Sequence, residues 1–388
     1  MVLPVLGALA GLVKVRYSRT LVDSQVFRLH YHWTTAFLFI SCALVVASDY
    51  IGDAIQCMVG QEDAPKPITT YCWISSTFTI NSTGQVMGFG TYNPKFHQRR
   101  FHAYYQWVPV VLFLQGCLFY LPHLIWKNWE GKQVDLLLQD LNKSLFDEDA
   151  AKKKVNIIKY LKDSWGLNMR YSVLYFVCEV LNLVNVVGQM FLMNLFLGGF
   201  FMKYGIKVIS FLTSDDTKRN DALMETFPRM TKCIFHLFGA SGEIEKKDAL
   251  CVLPQNIINE KIYLVMWFWF IILTIITILQ VLWQLVIFNS PTVRVRLLQR
   301  LAQENFCPRV ENAIRNMHLG DFCLVLSIGK NLDIFSFRDV MQGVVEASEE
   351  AYTPSAPPLL NYRTNNLSNN PDMITRKRHI GLAADSNQ

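Results

Sequence analysis

The chain has 388 residues, of which 51% are hydrophobic, and its formal net charge is +6. A soluble chain of this length would hold two or three domains, but the apolar residues here form uncharged stretches that are longer than buried soluble helices need, which excludes an ordinary soluble protein. The positive charge is spread over loops and tails, so the composition gives no indication of a nucleic-acid partner.

Four uncharged stretches set the organisation of the chain, and each has at least 20 residues. About 20 residues, at a rise of 1.5 Å each, cross a hydrocarbon core of roughly 30 Å. The sequence therefore predicts an all-α polytopic membrane protein built on a four-transmembrane-helix bundle. The stretches are Leu29–Ser48, Phe101–Trp126, Val180–Met202 and Ile262–Val293.

The charges that flank these stretches predict the orientation. Residues 1–30 contain four Lys or Arg and one acid, and Arg294, Arg296 and Arg300 follow the last stretch. Cytoplasmic segments next to spans carry an excess of Lys and Arg, so both termini are expected in the cytoplasm. The sequon at Asn81 would then face outward, which predicts N-glycosylation there.

Spans and orientation together predict the order of segments along the chain. The cytoplasmic loop is expected to be helical because Val134, Leu137, Leu138 and Leu141 recur at a spacing of three to four residues. The segments are a cytoplasmic N-terminal segment (1–29), the first span (30–50), extracellular loop 1 (51–103), the second span (104–126), the cytoplasmic loop (127–170), the third span (171–197), extracellular loop 2 (198–259), the fourth span (260–288), a cytoplasmic helical domain (289–352) and a disordered tail (353–388).

Four of the nine cysteines lie in the two predicted extracellular loops. Cys57 and Cys72 lie in the first loop, and Cys233 and Cys251 lie in the second. Because these loops face the oxidising side, the four cysteines are expected to form disulfides. Four cysteines allow three pairings, and their spacing alone leaves all three open.

No motif in the sequence indicates catalysis. The eight histidines form no metal-binding pattern, and neither a Gly-rich phosphate loop nor a G-x-S-x-G elbow is present, so we expect no enzyme, no metal and no cofactor.

Two features of the predicted spans indicate how the helices are shaped and packed. Pro109 predicts a kink in the second span. A polar stripe in the third span either bonds neighbouring helices, which we favour, or lines a wet pathway; it consists of Glu179, Asn182, Asn185 and Gln189.

The opening of the second span, with the sequence Tyr104, Tyr105, Gln106, Trp107, Val108 and Pro109, resembles the signature of the innexin family of invertebrate gap-junction proteins. Further motifs extend the resemblance over residues 1 to 345. They are Ile51-Gly52-Asp53, Phe227-Pro228-Arg229, Cys251-Val252-Leu253, Asn259-Glu260-Lys261, Trp267-Phe268-Trp269 and Gly320-Asp321-Phe322.

The resemblance implies a function and a set of roles. Innexins are plasma-membrane proteins that form octameric rings, and rings on apposed cells dock through their outer loops to pass ions and small metabolites. Disulfides join the two loops in the family, which here would pair Cys57 with Cys251 and Cys72 with Cys233. The N-terminal segment folds into the pore, so Val2, Leu3 and Pro4 would line it. The implied partners are copies of this chain, other innexins and membrane lipid.

Two other functions remain open at this point. A glycan on Asn81 would obstruct a facing ring, which favours a non-junctional hemichannel that releases ions and small molecules to the outside. A tetraspan adhesion or scaffold protein without a conducting pore is the third reading.

Overall fold

A computed structural model describes residues 22–58, 65–81, 98–131, 133–138, 148–213 and 226–352. Helices α1 to α12 and strands β1 to β5 make up the described part of the chain. The helices are Gln25–Ile51, Pro65–Ser75, Tyr104–Glu130, Gln133–Leu138, Glu148–Asp163, Met169–Phe196, Phe201–Thr213, Gln255–Asn289, Pro291–Ala302, Pro308–Asn316, Leu319–Gly329 and Ile334–Tyr352. The strands are Gln56–Met58, Thr77–Asn81, Gln98–His102, Met230–Phe238 and Ile244–Val252.

Four of these helices, α1, α3, α6 and α8, are long and apolar enough to cross a membrane. They pack side by side, with α3 against α1 and α6, and α6 against α8. Their shared core contains large apolar side chains such as Leu112, Phe119 and Phe270, all fully buried. The prediction of a mostly helical four-span membrane protein is confirmed. The segment boundaries drawn in the sequence remain predictions, and the tail at 353–388 lies outside the described residues.

Helix α3 does not have the interior kink that Pro109 predicts. The helix opens with a 3₁₀ turn over Tyr104–Trp107, and its α-helical part begins at Val108. Pro109 therefore lies in the first α-helical turn, where a backbone N–H has no intrahelical acceptor. The prediction of a kink was wrong because the helix changes type at this proline rather than continuing through it.

A five-stranded antiparallel sheet lies at one end of the bundle, in the order β1-β5-β4-β2-β3. Strands β1, β2 and β3 come from the segment between α1 and α3, whereas the hairpin β4–β5 comes from the segment between α6 and α8. The sheet therefore joins both inter-helix segments, which must lie at the same end of the bundle. We call this the sheet end. Its strands were not predicted from the sequence.

The opposite end of the bundle carries the short helices α4, α5 and α9 to α12. They share a core with the ends of the spanning helices, in which Trp126, Leu298 and Phe322 are buried. Asp321 holds this cluster to the turn before α6, because its carboxylate accepts hydrogen bonds from the Gly166 N–H at 2.9 Å and from the Asn168 side chain at 2.8 Å. Gly320 lies against the backbone of Asn168 at the same contact.

We expect Gly320→Ala to destabilise the protein. A Cβ at position 320 would lie 2.2 Å from the carbonyl carbon of Asn168, and a backbone atom cannot move aside as a flexible side chain can. Overpacking of this kind costs about 1–3 kcal/mol or more. The thermal midpoint of the solubilised channel, followed by fluorescence-detected gel filtration, should fall.

Gly188→Ala in α6 is the matched control, because nothing lies within 4 Å of its added Cβ. Alanine is the better helix former by about 1 kcal/mol, so this variant should keep or raise the midpoint. Equal midpoints for the two variants would contradict the proposed close contact at Gly320.

Candidate functional site

The sheet end contains two disulfides that link the two inter-helix segments. Cys57 of β1 and Cys251 of β5 lie directly opposite each other in the antiparallel register and are joined. Cys72 of α2 is joined to Cys233 of β4. These are the two pairs that the family resemblance implies. All four residues are buried, and each disulfide closes a long stretch of chain, of 194 and 161 residues.

The disulfides lie in a small apolar core of their own. Ile55, Ile68, Tyr105 and Leu253 surround them, and α2 covers the sheet from this side. Strand β1 has only three residues, and a strand this short forms few ladder hydrogen bonds. The disulfide from Cys57 therefore reinforces the attachment of β1 to the hairpin.

The signature residues at the start of α3 fasten the spanning helix to this core. Tyr105 is fully buried; it stacks on Trp73 with ring centroids 4.7 Å apart, and its hydroxyl donates to the Cys72 carbonyl at 3.4 Å. The Gln106 side-chain amide donates to the Trp73 carbonyl. The signature thus positions the helix that carries the second disulfide.

The other signature residues face different surroundings. Tyr104 donates to the Thr226 carbonyl at 3.4 Å, and Val108 is buried in the bundle. Trp107 is 59% exposed at the mouth of α3, the position of an interfacial aromatic residue. The carbonyl of Pro109 accepts from the Cys42 thiol at 3.3 Å, which ties α3 to α1.

An ion pair with a buried carboxylate connects the residue before β4 to α8. Glu260 is fully buried, and its carboxylate accepts from Arg229 at 3.0 Å and from Lys261 at 2.8 Å. The Arg229 carbonyl in turn accepts from the Leu253 N–H at 2.8 Å. Arg229 and Glu260 lie in two separate motifs of the family resemblance, and their opposite charges are the sequence signal that could have indicated a pair.

Strand β3 carries a buried histidine. His102 is hydrogen bonded to the Thr79 hydroxyl of β2 at 2.8 Å. Burial, with a smaller contribution from the positive charge of Arg100, lowers the pKa of His102 to about 3. The ring is therefore neutral at pH 7 and joins β2 to β3 without adding charge to the interior of the sheet.

The polar stripe of α6 is buried inside a single subunit. Glu179, Asn182 and Gln189 are each at most 3% exposed, and Asn185 is half-buried. The Glu179 carboxylate accepts from Ser24 at 3.1 Å and from Gln280 of α8 at 3.4 Å. Gln189 accepts from Gln115 of α3 at 3.1 Å and donates to Asn185 at 3.3 Å. The bonds Glu179–Gln280 and Gln115–Gln189 join helices, as the favoured interpretation expects. The bond to Asn185 lies within α6, and the side-chain nitrogen of the buried Asn182 has no hydrogen-bond partner among the described residues.

The chain just before α1 is held by this same stripe. The Ser24 N–H donates to the Tyr175 hydroxyl at 3.0 Å, beside the bond from the Ser24 hydroxyl to Glu179. Asp23 accepts from the Tyr31 hydroxyl at 3.1 Å, and burial raises the pKa of its carboxyl group. The end of the N-terminal segment, where it joins α1, is therefore held against α6.

The predicted pore-lining residues and the predicted glycosylation site stay untested by the structure. Val2, Leu3 and Pro4 lie outside the described residues. Asn81 is the last residue of β2, opposite Gln98 of β3. Pore lining by the first group and glycosylation of Asn81 remain predictions.

Three sulfur atoms at the sheet end come as close as metal ligands do. Those of Cys57, Cys72 and Cys251 lie within 4.8 Å of one another. All three belong to disulfides, so they offer no thiolate to a metal ion. The arrangement is therefore structural, and it fits a protein that works through its shape rather than through bond-making chemistry.

Comparison with known proteins agrees with this architecture. The family model described as Innexin matches residues 23–348. Innexin inx3 of Drosophila melanogaster is 40% identical over 364 residues, which cover 91% of this chain and 92% of that protein. Innexin shaking-B of Drosophila melanogaster is 40% identical over 353 residues (88% and 93%), and Innexin inx2 of Schistocerca americana is 37% identical over 358 residues (89% and 98%). The chain belongs to the innexin family and is a multi-pass membrane subunit of an oligomeric gap-junction channel, not an enzyme.

Proposed function

We propose that copies of this subunit assemble into an octameric ring in the plasma membrane, with both termini of each subunit in the cytoplasm. The ring docks through its sheet end with a ring on the apposed cell. Ions and small metabolites then pass directly between the two cytoplasms. The observation that carries the proposal is the sheet itself, in which both inter-helix segments form one body locked by two disulfides.

Two features support the orientation. Disulfides persist on the oxidising side of a membrane, and both described disulfides lie at the sheet end. Arg294, Arg296 and Arg300 follow α8 at the opposite end, and juxtamembrane arginines favour the cytoplasmic side. The sheet end therefore faces outward.

The tip of the β4–β5 hairpin is suited to docking. Phe238 and Ile244 lie opposite each other in the last register pair before the turn, and they are 81% and 62% exposed. Large apolar side chains gain stability when a partner surface covers them. A facing ring supplies that cover. The sheet next to the tip is locked by the disulfides and holds the tip in one conformation before contact, and this lowers the entropic cost of docking.

The pore would be formed by the ring and not by the interior of one subunit. Two members of the polar stripe of α6, Glu179 and Gln189, bond to Ser24, Gln280 and Gln115 inside the bundle, and Asn182 is buried there as well. The N-terminal segment, including Val2, Leu3 and Pro4, is left to line the pore. Its anchoring at Ser24 would fix where it enters the ring.

Recording from paired cells tests the proposal, with the chain expressed alone and together with other innexins. Junctional conductance between cells that express this chain supports docking. Current in unpaired cells only, with no junctional conductance in any combination, would contradict docking and favour the hemichannel, which the Asn81 sequon also favours. Absence of both currents despite surface expression would favour a non-conducting scaffold.

We expect Cys57→Ser and Cys251→Ser each to abolish junctional conductance. Either change removes the disulfide between β1 and β5, and loss of a native disulfide costs about 2–5 kcal/mol in small secreted domains. Cys72→Ser and Cys233→Ser should have the same effect. Cys307→Ser is the control, because Cys307 is a free, exposed cysteine at the opposite end, and its conductance should equal that of the unchanged chain. Conductance retained in all four disulfide variants would refute this expectation.

We expect Phe238→Asp to abolish junctional conductance while unpaired cells keep their hemichannel current. The change places a charge at the exposed tip without touching the sheet core. Phe238→Leu keeps an apolar side chain there and should retain coupling. Junctional conductance is measured in paired cells and hemichannel current in single cells for both variants, each normalised to surface expression. Equal coupling by the two variants would show that the tip does not dock.

A further inference from the structure

Helix α7 crosses α8 at the point where the charges of α8 end. The Tyr204 hydroxyl donates to the Glu260 carbonyl at 3.2 Å, and Trp267 donates to the Met202 carbonyl at 3.3 Å. Glu260 and Lys261 are the last charged residues of α8, and the stretch that follows them is uncharged. The crossing therefore marks the boundary between the aqueous end of the bundle and its membrane-spanning part.

The residues of α7 divide into three faces. Phe201, Tyr204 and Val208 are buried against the subunit. Met202 and Ile206, four positions apart, form a second face that is apolar and exposed, at 37% and 62%. A third face, about 100° further round the helix, carries Lys203 and Lys207. Ile209, which is 46% exposed, lies seven positions after Met202 and therefore on the same side of the helix.

Three faces of these kinds suit a helix that lies in the plane of a membrane surface. Such a helix needs one side against its own protein, one side in the acyl chains and one side toward headgroups and water. Lysine stems reach along apolar surface while the ammonium stays at the polar level. A helix surrounded by water would instead leave Met202 and Ile206 exposed with no apolar cover.

We propose that α7 is an interfacial helix that inserts its Met202–Ile206 face into the lipid leaflet at the sheet end, with Lys203 and Lys207 at the level of the lipid phosphates. The neighbouring residues support this depth. Two cations lie over the Phe200 ring, Arg100 at 3.8 Å and Lys207 at 5.7 Å from its centroid. Long Lys and Arg side chains near helix ends reach the polar interface in membrane proteins.

The surface beside α7 favours lipid over a neighbouring subunit as the occupant. Val265 and Phe268 flank Trp267 on α8 and are 54% and 38% exposed. Leu192 and Leu195 of α6, close to the start of α7, are 44% and 79% exposed. The apolar face of α7 thus continues the apolar outer surface of the spanning helices, which lipid covers in a membrane protein.

Spin-label accessibility in lipid nanodiscs tests the proposal on the assembled full-length channel. Single cysteines replace Met202, Ile206 or Lys203 in a chain whose free cysteines at 42, 117, 178, 307 and 323 are changed to alanine. The labels at 202 and 206 should be reached by oxygen, which partitions into lipid, and not by a water-soluble nickel complex. The label at 203 should show the reverse preference.

Either of two results would overturn the proposal. Labels at 202 and 206 that neither reagent reaches would place this face against another protein. Labels that the nickel complex reaches freely would place it in water.

A second measurement needs no cysteine-free background. A diazirine amino acid at position 206 of the otherwise unchanged chain should crosslink to phospholipid on illumination, and the same group at 203 should crosslink to lipid less. A crosslinked pair of subunits from position 206 would contradict the proposal. Neither experiment depends on docking, so the helix can lie in the membrane whether or not the rings form junctions.

Discussion

The structure depends on the pairing of strands from two segments that are far apart in the chain. Strand β1 follows the first spanning helix and pairs with β5, which precedes the fourth. The disulfides Cys57–Cys251 and Cys72–Cys233 fasten this pairing and the helix α2 that covers it. Because α3 begins on this core through Tyr105 and α8 begins on it through Glu260 and Arg229, the sheet also sets where two spanning helices start.

The remainder of the subunit is held by polar contacts. They lie where apolar packing alone does not determine which helices become neighbours. Inside a membrane, helices gain little from apolar contact with one another because lipid is equally apolar. Hydrogen bonds from Gln280 to Glu179 and from Gln115 to Gln189 give the spanning helices specific neighbours. At the far end, Asp321 bonds the helical cluster to the turn before α6. Polar contacts therefore fix both the packing of the spanning helices and the position of the helical cluster.

The sequence predicted the parts of this fold that depend on local pattern. Four uncharged stretches predicted four spanning helices, because the length needed to cross a bilayer is a property of each stretch alone. The signature at Tyr104–Pro109 led to the family. The sheet was not predicted, because its strands are short and pair across long separations, with alternation broken by charges such as Lys246 and Lys247. The pairing of the cysteines followed from resemblance, since their spacing allows three arrangements. Two features were not predicted from the sequence: the ion pair of Arg229 with Glu260 and the three faces of α7. Each depends on contacts between elements that are far apart in the chain.

The most direct test of this account is the disulfide connectivity of the channel purified from plasma membrane. Free thiols are blocked first, and the protein is digested and analysed by mass spectrometry without reduction. The structure predicts crosslinked peptides that join Cys57 to Cys251 and Cys72 to Cys233. Peptides that join Cys57 to Cys72 and Cys233 to Cys251 would contradict it, because each segment would then be closed on itself and the single locked sheet would be lost.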